Sequence, residues 1–243
     1  MTLRIEQKIS AHAIEESQLT VDMRQGIQAA EYMRKILDER APTVSRVRTF
    51  RPPDECFIDL QAAMRRDNPH SIGHVGRAII IGLSTIPLLG FSVEETKIVT
   101  ALRFHDCRLS SWDNYPDHGL HAAQWLEERG WHTAMGGLWD DIRFLLVHHS
   151  DRIGTNHHGS AWGSLDGMLS AMQDIDAAEL TRPGVNIPFA DIQLRTAGAV
   201  QYDLPHVAFA LQKTASVIDT GDLFEDQIAA GIHLKLVRPD TMG

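Results

Sequence analysis

Apolar residues recur at helical spacing along almost the whole chain, and this periodicity limits the fold more than any other feature. Residues 22–39 (DMRQGIQAAEYMRKILDE) and 93–106 (VEETKIVTALRFHD) place apolar side chains at i, i+3 and i+4. Almost no stretch alternates apolar and polar residues in the way that a half-buried strand does. The pattern therefore predicts an all-α fold.

Capping and stop signals divide this pattern into separate helices. The predicted helices cover residues 22–39, 54–66, 70–86, 93–106, 118–128, 138–149, 164–180, 204–219 and 222–236. Asn68-Pro69 is expected to start the helix that carries His70 and His74, and Ser92 with Glu95 forms a capping box for the helix that ends at His105-Asp106. The polar segments 107–117 and 150–164 are predicted to be loops, the second of them a candidate lid.

A chain of 243 residues with 43% hydrophobic content is long enough to bury a full core in one large domain. The motifs described below concentrate in residues 54–190, so residues 1–53 are interpreted as an N-terminal helical extension and residues 191–243 as C-terminal helices that pack on the core. The helix at 22–39 is expected to pack outside that core.

Charge and composition exclude several classes of partner. The net charge is −9 and the basic residues form no run, so a nucleic-acid polymer is not expected. The first 12 residues lack an apolar core, and the apolar stretch 77–91 is short and interrupted, so neither a signal peptide nor a membrane span is predicted. Cys56 and Cys107 lack CxxC spacing, which indicates a cytoplasmic protein without a cysteine-based zinc site.

The dipeptide His105-Asp106 brings an imidazole and a carboxylate to one point of the backbone, and these are ligands that divalent metals use. Further residues of the same types recur where helices could direct them to a common point, namely His74, His118, His148 and Asp176. Three of these positions have a rival close by, since His70 precedes His74 by one turn, His149 follows His148, and Asp174 lies two residues before Asp176. The recurrence predicts a metal centre.

Taken together, these motifs resemble the HD-domain superfamily of metal-dependent phosphohydrolases. The resemblance covers about residues 65–185 and is carried by HSIGHVGRA (70–78), FHDCR (104–108), YPDHGLHAA (115–123), LLVHHS (145–150) and MQDIDAAEL (172–180). It implies a single helical bundle whose metal-binding core is the segment 54–190.

The resemblance also implies a ligand set. The residues that match the ligands of a first metal are His74, His105, Asp106 and Asp176, and those that match the ligands of a second are His118 and His148, with Asp106 as the bridge. It favours His74 over His70 because the family ligand stands three residues before an arginine, here Arg77. The family often has Arg-Leu after its late aspartate, whereas Ala177 and Ala178 follow Asp176 here.

The catalytic group implied by the resemblance is Asp106, His105 and Arg108, with Arg108, two residues after Asp106, binding phosphate. The candidates for substrate contacts are Arg77, His149 and His70. A carboxylate between two ions allows them to lie about 3.5–4 Å apart, so that both act on one phosphoryl group and on the attacking water.

The leading hypothesis is a phosphohydrolase for a nucleotide or another small phosphorylated metabolite, using one or two divalent ions. Fe, Mn, Co, Zn, Ni and Mg are not distinguished by the sequence, and homo-oligomerisation stays open. A mixed-valence di-iron oxygenase, which the same superfamily includes, and a non-catalytic regulatory module with a structural metal are the alternatives.

Overall fold

The computed structural model describes residues 20–66, 68, 70–91, 94–109, 117–151, 163–181 and 187–240. Twelve α-helices lie in these ranges: α1 (Val21–Leu37), α2 (Val44–Thr49), α3 (Leu60–Ala63), α4 (Ile72–Thr85), α5 (Glu95–Phe104), α6 (His118–Glu128), α7 (Trp131–Met135), α8 (Trp139–His148), α9 (Gly163–Ala177), α10 (Ala197–Gln201), α11 (Leu204–Ser216) and α12 (Leu223–His233). Short 3-10 turns cover Asp38–Arg40, Asp54–Cys56, Gly136–Leu138, Ala178–Thr181 and Phe189–Asp191.

The prediction of an all-α fold is confirmed. No strand occurs in the described ranges, and a single β-bridge there, between Thr43 and Arg238, joins the segment before α2 to the segment after α12. None of the helices in these ranges combines the length and the apolar character that a bilayer crossing requires.

Helix α4 occupies the centre of the bundle, and all of its residues are buried. It packs against α5 and α12 most extensively, and also against α9 and α11. Its run Ile79, Ile80 and Ile81 is apolar on all sides, which is the pattern of a helix surrounded by others. Burial of each isoleucine contributes about 1.5–3 kcal/mol to the free energy of folding, which favours a central position for this helix. His74 is therefore held rigidly inside the core.

The N-terminal helix α1 belongs to the main core rather than lying outside it, as had been expected from the sequence. Ala30 and Met33 are fully buried in the same apolar cluster as the residues of α4. Helix α1 packs along α11, and a Cβ atom on Gly26 would collide with the carbonyl oxygen of His206. The missing side chain allows this close approach, which joins the two terminal segments.

Two element boundaries before α4 differ from the predictions. The expected helix at 54–66 is a 3-10 turn followed by the single turn of α3, because Asp59 accepts a hydrogen bond from the Ala62 N–H and starts a new turn there. His70 precedes α4 instead of lying on it, since the Asn68 side chain accepts from the His70 N–H and Ser71 caps the helix. Pro69, Ser92 and residues 152–162 of the candidate lid lie outside the described residues.

Candidate metal centre

Three helices bring a first group of ligand atoms together: His74, His105 and Asp176, called here the first group. Helix α4 carries His74, His105 follows the last residue of α5, and α9 carries Asp176. The Nε2 atoms of His74 and His105 are 3.0 Å apart. Asp176 Oδ1 lies 3.2 Å from the His74 nitrogen and 3.5 Å from the His105 nitrogen.

Asp106, His118 and His149 form the second group. His118 is the first residue of α6 and His149 directly follows α8. Their Nε2 atoms are 2.7 Å apart, and both residues are buried. The two groups adjoin, since the rings of His105 and His149 are 5.3 Å apart between centroids.

Asp106 faces both groups with different oxygen atoms. Its Oδ2 lies 3.4 Å from His74 Nε2 and 3.6 Å from His105 Nε2. Its Oδ1 lies 3.7 Å from His118 Nε2. This carboxylate therefore presents one oxygen to each of the two groups.

A hydrogen bond to a backbone carbonyl orients one histidine in each group in the same way. His105 Nδ1–H donates to the Leu102 carbonyl at 2.7 Å, and His149 Nδ1–H donates to the Leu146 carbonyl at 2.7 Å. Each acceptor is the carbonyl three residues earlier, at the C-terminal end of a helix. Because a carbonyl only accepts, the proton of the neutral ring lies on Nδ1 and the Nε2 lone pair points into the centre.

His74 is oriented in a similar way, by a carboxylate that faces its Nδ1 atom. Glu179 Oε2 lies 3.4 Å from His74 Nδ1 and accepts a 2.6 Å hydrogen bond from Arg77 Nε–H. All three side chains are buried. Sequence reasoning missed Glu179, although its position three residues after Asp176 places it on the same face of the chain. Such partners orient a metal-binding histidine.

The spacing of the ligand atoms fits a metal ion. Atoms at about 2.1 Å from a common cation lie about 3.0–3.4 Å from one another, depending on the coordination geometry. The three separations within the first group, 3.0, 3.2 and 3.5 Å, fall close to this range. Two nitrogen lone pairs at 3.0 Å repel each other unless a cation or a proton lies between them. The buried groups therefore could hold a metal ion, as the sequence predicted.

The sequence resemblance favoured His148, but the structure brings His149 into the second group instead. The His148 side chain is 27% exposed and its Nδ1 lies 2.7 Å from Asp151 Oδ2. The two residues are consecutive at the end of a helix, so their side chains diverge by about 100°. With His149 directed inward, His148 has to point toward the surface.

The choice between Asp174 and Asp176 agrees with what the resemblance favoured. Asp176 lies in the first group, whereas Asp174 accepts hydrogen bonds from the backbone N–H groups of Arg195 and Thr196 at 2.6 and 2.7 Å. Asp174 therefore ties α9 to the segment before α10.

The other predicted site residues occupy three different positions. His70 lies beside the centre, with Nδ1 2.9 Å from Asp106 Oδ2. Arg77 is bound to Glu179. Arg108 has a left-handed backbone with φ of 69°, donates its N–H to the Cys56 carbonyl, and lines a cavity of about 260 Å³ together with His121. The described lining of that cavity includes no member of either group.

The electrostatics of the centre favour charged carboxylates. Burial alone lowers the pKa of His105, but Asp106 and Asp176 outweigh it and raise that pKa to about 9. Burial would raise the pKa of each of these aspartates, yet the surrounding histidines hold both well below the usual value. Burial, together with His118 and His105, lowers the pKa of His149 to about 3. The second group thus presents a neutral imidazole at neutral pH.

Metal binding is expected to release a proton. A proton and a cation compete for His105, whose pKa of about 9 means that the metal-free protein is protonated there at pH 7. The apparent affinity for Zn²⁺ should therefore fall about tenfold for each pH unit below 9 and level off above it. Calorimetric titrations at pH 7 in two buffers of different ionisation enthalpy measure the released proton. An affinity that is constant between pH 7 and 9 would contradict the assignment.

Gly119→Ala is expected to disturb the second group, because α6 and α8 approach each other closely at this glycine. A Cβ atom there would collide with the Leu146 carbonyl, which is also the acceptor for His149. We expect a loss of about 1–3 kcal/mol in the free energy of unfolding and weaker retention of a metal by His118 and His149. Gly137, which has open space around its Cβ position, provides the control. Gly137→Ala should change stability by less than about 0.5 kcal/mol in the same chemical denaturation experiment.

No protein-family description, curated protein or solved structure matches this chain with statistical significance. The geometry of the two groups is therefore the basis for any functional conclusion.

Proposed function

We propose that the protein is a metal-dependent hydrolase that cleaves a phosphate ester or anhydride of a nucleotide or another small phosphorylated metabolite. The observation that carries this proposal is the orientation of Asp106, whose two oxygens face two adjoining groups of ligand atoms. A carboxylate shared in this way would allow two cations to lie about 3.5–4 Å apart, the separation at which two metals stabilise both the attacking and the leaving oxygens of phosphoryl transfer. The helical fold is compatible with the HD-domain resemblance.

The donor set favours a transition metal over Mg²⁺. Four imidazoles and two carboxylates make up the two groups, His74, His105, His118, His149, Asp106 and Asp176. Imidazole suits Fe, Zn, Ni and Cu, whereas Mg²⁺ and Ca²⁺ prefer sites made of oxygen atoms. We therefore expect Mg²⁺ to support little activity compared with Fe²⁺, Zn²⁺ or Ni²⁺.

Charge explains how an acidic protein would attract an anionic substrate to this point. With neutral imidazoles, the two carboxylates of Asp106 and Asp176 offset only half of the charge of two divalent cations. Glu179 is already compensated by Arg77. The loaded centre would keep a net positive charge in a buried environment, where its attraction for a phosphoryl group is weakly screened.

The surrounding residues have identifiable tasks in this reaction. His70 Nδ1–H donates to Asp106 Oδ2 and holds the carboxylate in its bridging orientation. Glu179 faces Nδ1 of His74, and the backbone carbonyls of Leu102 and Leu146 accept from Nδ1 of His105 and His149, so that the Nε2 atom of each ring is directed at the centre. When bound, the metal would supply Lewis acidity and a water of lowered pKa. Hydrolysis then needs no nucleophile from the protein.

The nitrogen-rich donor set also suits a di-iron oxygenase, so the decisive experiment has to separate the two reactions. Protein purified without chelator is analysed for metal content and then assayed for phosphate release from nucleotides and sugar phosphates with each candidate metal. Metal-dependent phosphate release is the expected result. Iron with an electron paramagnetic resonance signal, oxygen uptake and no phosphate release would reject the hydrolase and favour the oxygenase.

A further inference from the structure

Asp176 marks the side on which the candidate metal centre is most accessible from the solvent. Its side chain keeps 22% of its surface exposed. The other five members of the two groups are buried. A substrate that is to contact bound cations therefore has to approach past Asp176. Because this residue is a carboxylate, an anionic substrate would meet a negative charge there unless a cation lies close by.

Arg195 supplies a cation near this carboxylate. It stands in the segment before α10, where Asp174 Oδ1 accepts its backbone N–H at 2.6 Å. Burial lowers the pKa of the Arg195 guanidinium, whereas the negative charges of Asp174 and Asp176 raise it. The guanidinium therefore lies within electrostatic range of the first group as well as of Asp174.

The Arg195 side chain is mostly buried, yet its hydrogen-bonding capacity is largely unused. Only 19% of its surface is exposed, and Asp174 Oδ1 lies 3.8 Å from Nη1, beyond hydrogen-bond distance. Both oxygens of Asp174 already accept from the backbone N–H groups of Arg195 and Thr196. Within the described ranges, no other residue accepts from this guanidinium. Arg77, the other mostly buried arginine beside the centre, donates to Glu179 at 2.6 Å.

The backbone of Arg195 is fixed on both sides, so its side chain extends from a rigid position. Leu194 packs against the apolar core. Thr196 caps α10 by accepting from the Ala199 N–H, and its own N–H donates to Asp174. An arginine held in this way loses less conformational freedom when it binds a ligand. Its planar fork of N–H donors matches the oxygen atoms of a phosphate.

We propose that Arg195 binds the phosphoryl oxygens of the substrate at the entrance of the metal centre, beside Asp176. This inference rests on the proposed function, and it adds a substrate-binding residue to which the sequence did not point. The guanidinium would offset the charge of Asp176 for the incoming anion and donate to the phosphoryl oxygens that the cations leave free. Arg195 belongs to neither group of ligands, so its contribution to substrate binding can be separated from metal binding.

The test is calorimetric titration of phosphate into the Zn²⁺-loaded full chain and into its Arg195→Gln variant. We expect Arg195→Gln to weaken phosphate binding about 10- to 100-fold, because hydrogen bonds between charged groups are lost. Its zinc content should equal that of the unmodified protein, because Asp174 binds backbone N–H groups that glutamine also provides. Arg195→Lys should recover part of the affinity, since lysine keeps the charge but lacks the planar fork.

Arg46→Gln is the matched control. Arg46 is 45% exposed and is paired with Glu95 on the surface, so its replacement removes the same charge and should leave phosphate affinity unchanged. Equal phosphate affinities for Arg195→Gln and Arg46→Gln would overturn the proposal, and so would a Zn²⁺-loaded unmodified protein that binds no phosphate. Loss of zinc from Arg195→Gln would assign this residue to the support of the centre and overturn its role in substrate binding.

The same variants separate this proposal from the proposed function. If a phosphorylated substrate is cleaved, Arg195→Gln should raise KM about 10- to 100-fold and lower kcat less. An unchanged KM would overturn the role of Arg195 and leave the hydrolase standing. If no such substrate is cleaved but phosphate binding still depends on Arg195, the hydrolase is rejected and the oxyanion site at Arg195 is retained.

Discussion

Asp106→Ala is expected to remove both the bound metal and the turnover while leaving the helical content intact. Asp106 faces both groups of ligand atoms, so its loss takes one ligand from each of them. Two adjacent cations would also repel each other without the bridging negative charge. We expect phosphate release to fall at least about 1,000-fold, which corresponds to the several kcal/mol that metal ions contribute to such reactions. Metal analysis, circular dichroism and the phosphate-release assay measure the three quantities.

The matched control for this variant is Asp191→Ala. Asp191 is an exposed aspartate in the 3-10 turn before α10 and belongs to neither group. Its replacement removes the same charge and should leave metal content and turnover unchanged. If Asp106→Ala retains both metal and activity, the proposed centre is refuted.

His149→Ala and His148→Ala should differ sharply although the residues are neighbours. His149 is buried in the second group, with Nε2 2.7 Å from His118 Nε2, whereas His148 is directed toward Asp151. We expect His149→Ala to reduce the metal content from two ions to one and turnover by at least about 100-fold. His148→Ala should retain both ions and turn over substrate within a few-fold of the unmodified protein.

Metal content per chain and steady-state turnover, measured for both variants under the same conditions, check this expectation. The sequence resemblance alone leads to the opposite order of effects, so the experiment distinguishes the two assignments. A larger effect of His148→Ala would mean that the second metal is held by the residue that faces Asp151 in this structure.

Residue types and helical spacing were sufficient for the all-α class and for most helix boundaries in the described ranges. Helix α6 begins and ends at the predicted residues, His118 and Glu128, because its stop at Gly130 is a local signal with a positive φ. The prediction of one helix over 54–66 was wrong for an equally local reason, since the Asp59 cap starts a new turn instead of continuing a longer helix. Exposed short segments gain little from packing, and helices there are marginal.

The candidate centre was predictable in outline, because His-Asp pairs and isolated histidines on separate helices suggest a metal site. Glu179 was not identified because a buried glutamate near a ligand looks like any other helical glutamate in a sequence. Its role emerges only from its distances to His74 and Arg77, two residues more than 100 positions earlier in the chain.

Periodicity and residue type are local properties, and they were enough to predict a bundle of helices with imidazoles and carboxylates at recurring positions. Which member of each neighbouring pair faces the centre depends on how the helices pack. His149 replaced His148 because the Leu146 carbonyl accepts its Nδ1–H and α6 approaches α8 at Gly119. The choice between side chains 100° apart on one helix depends on what packs against that helix, and this information lies in distant parts of the chain.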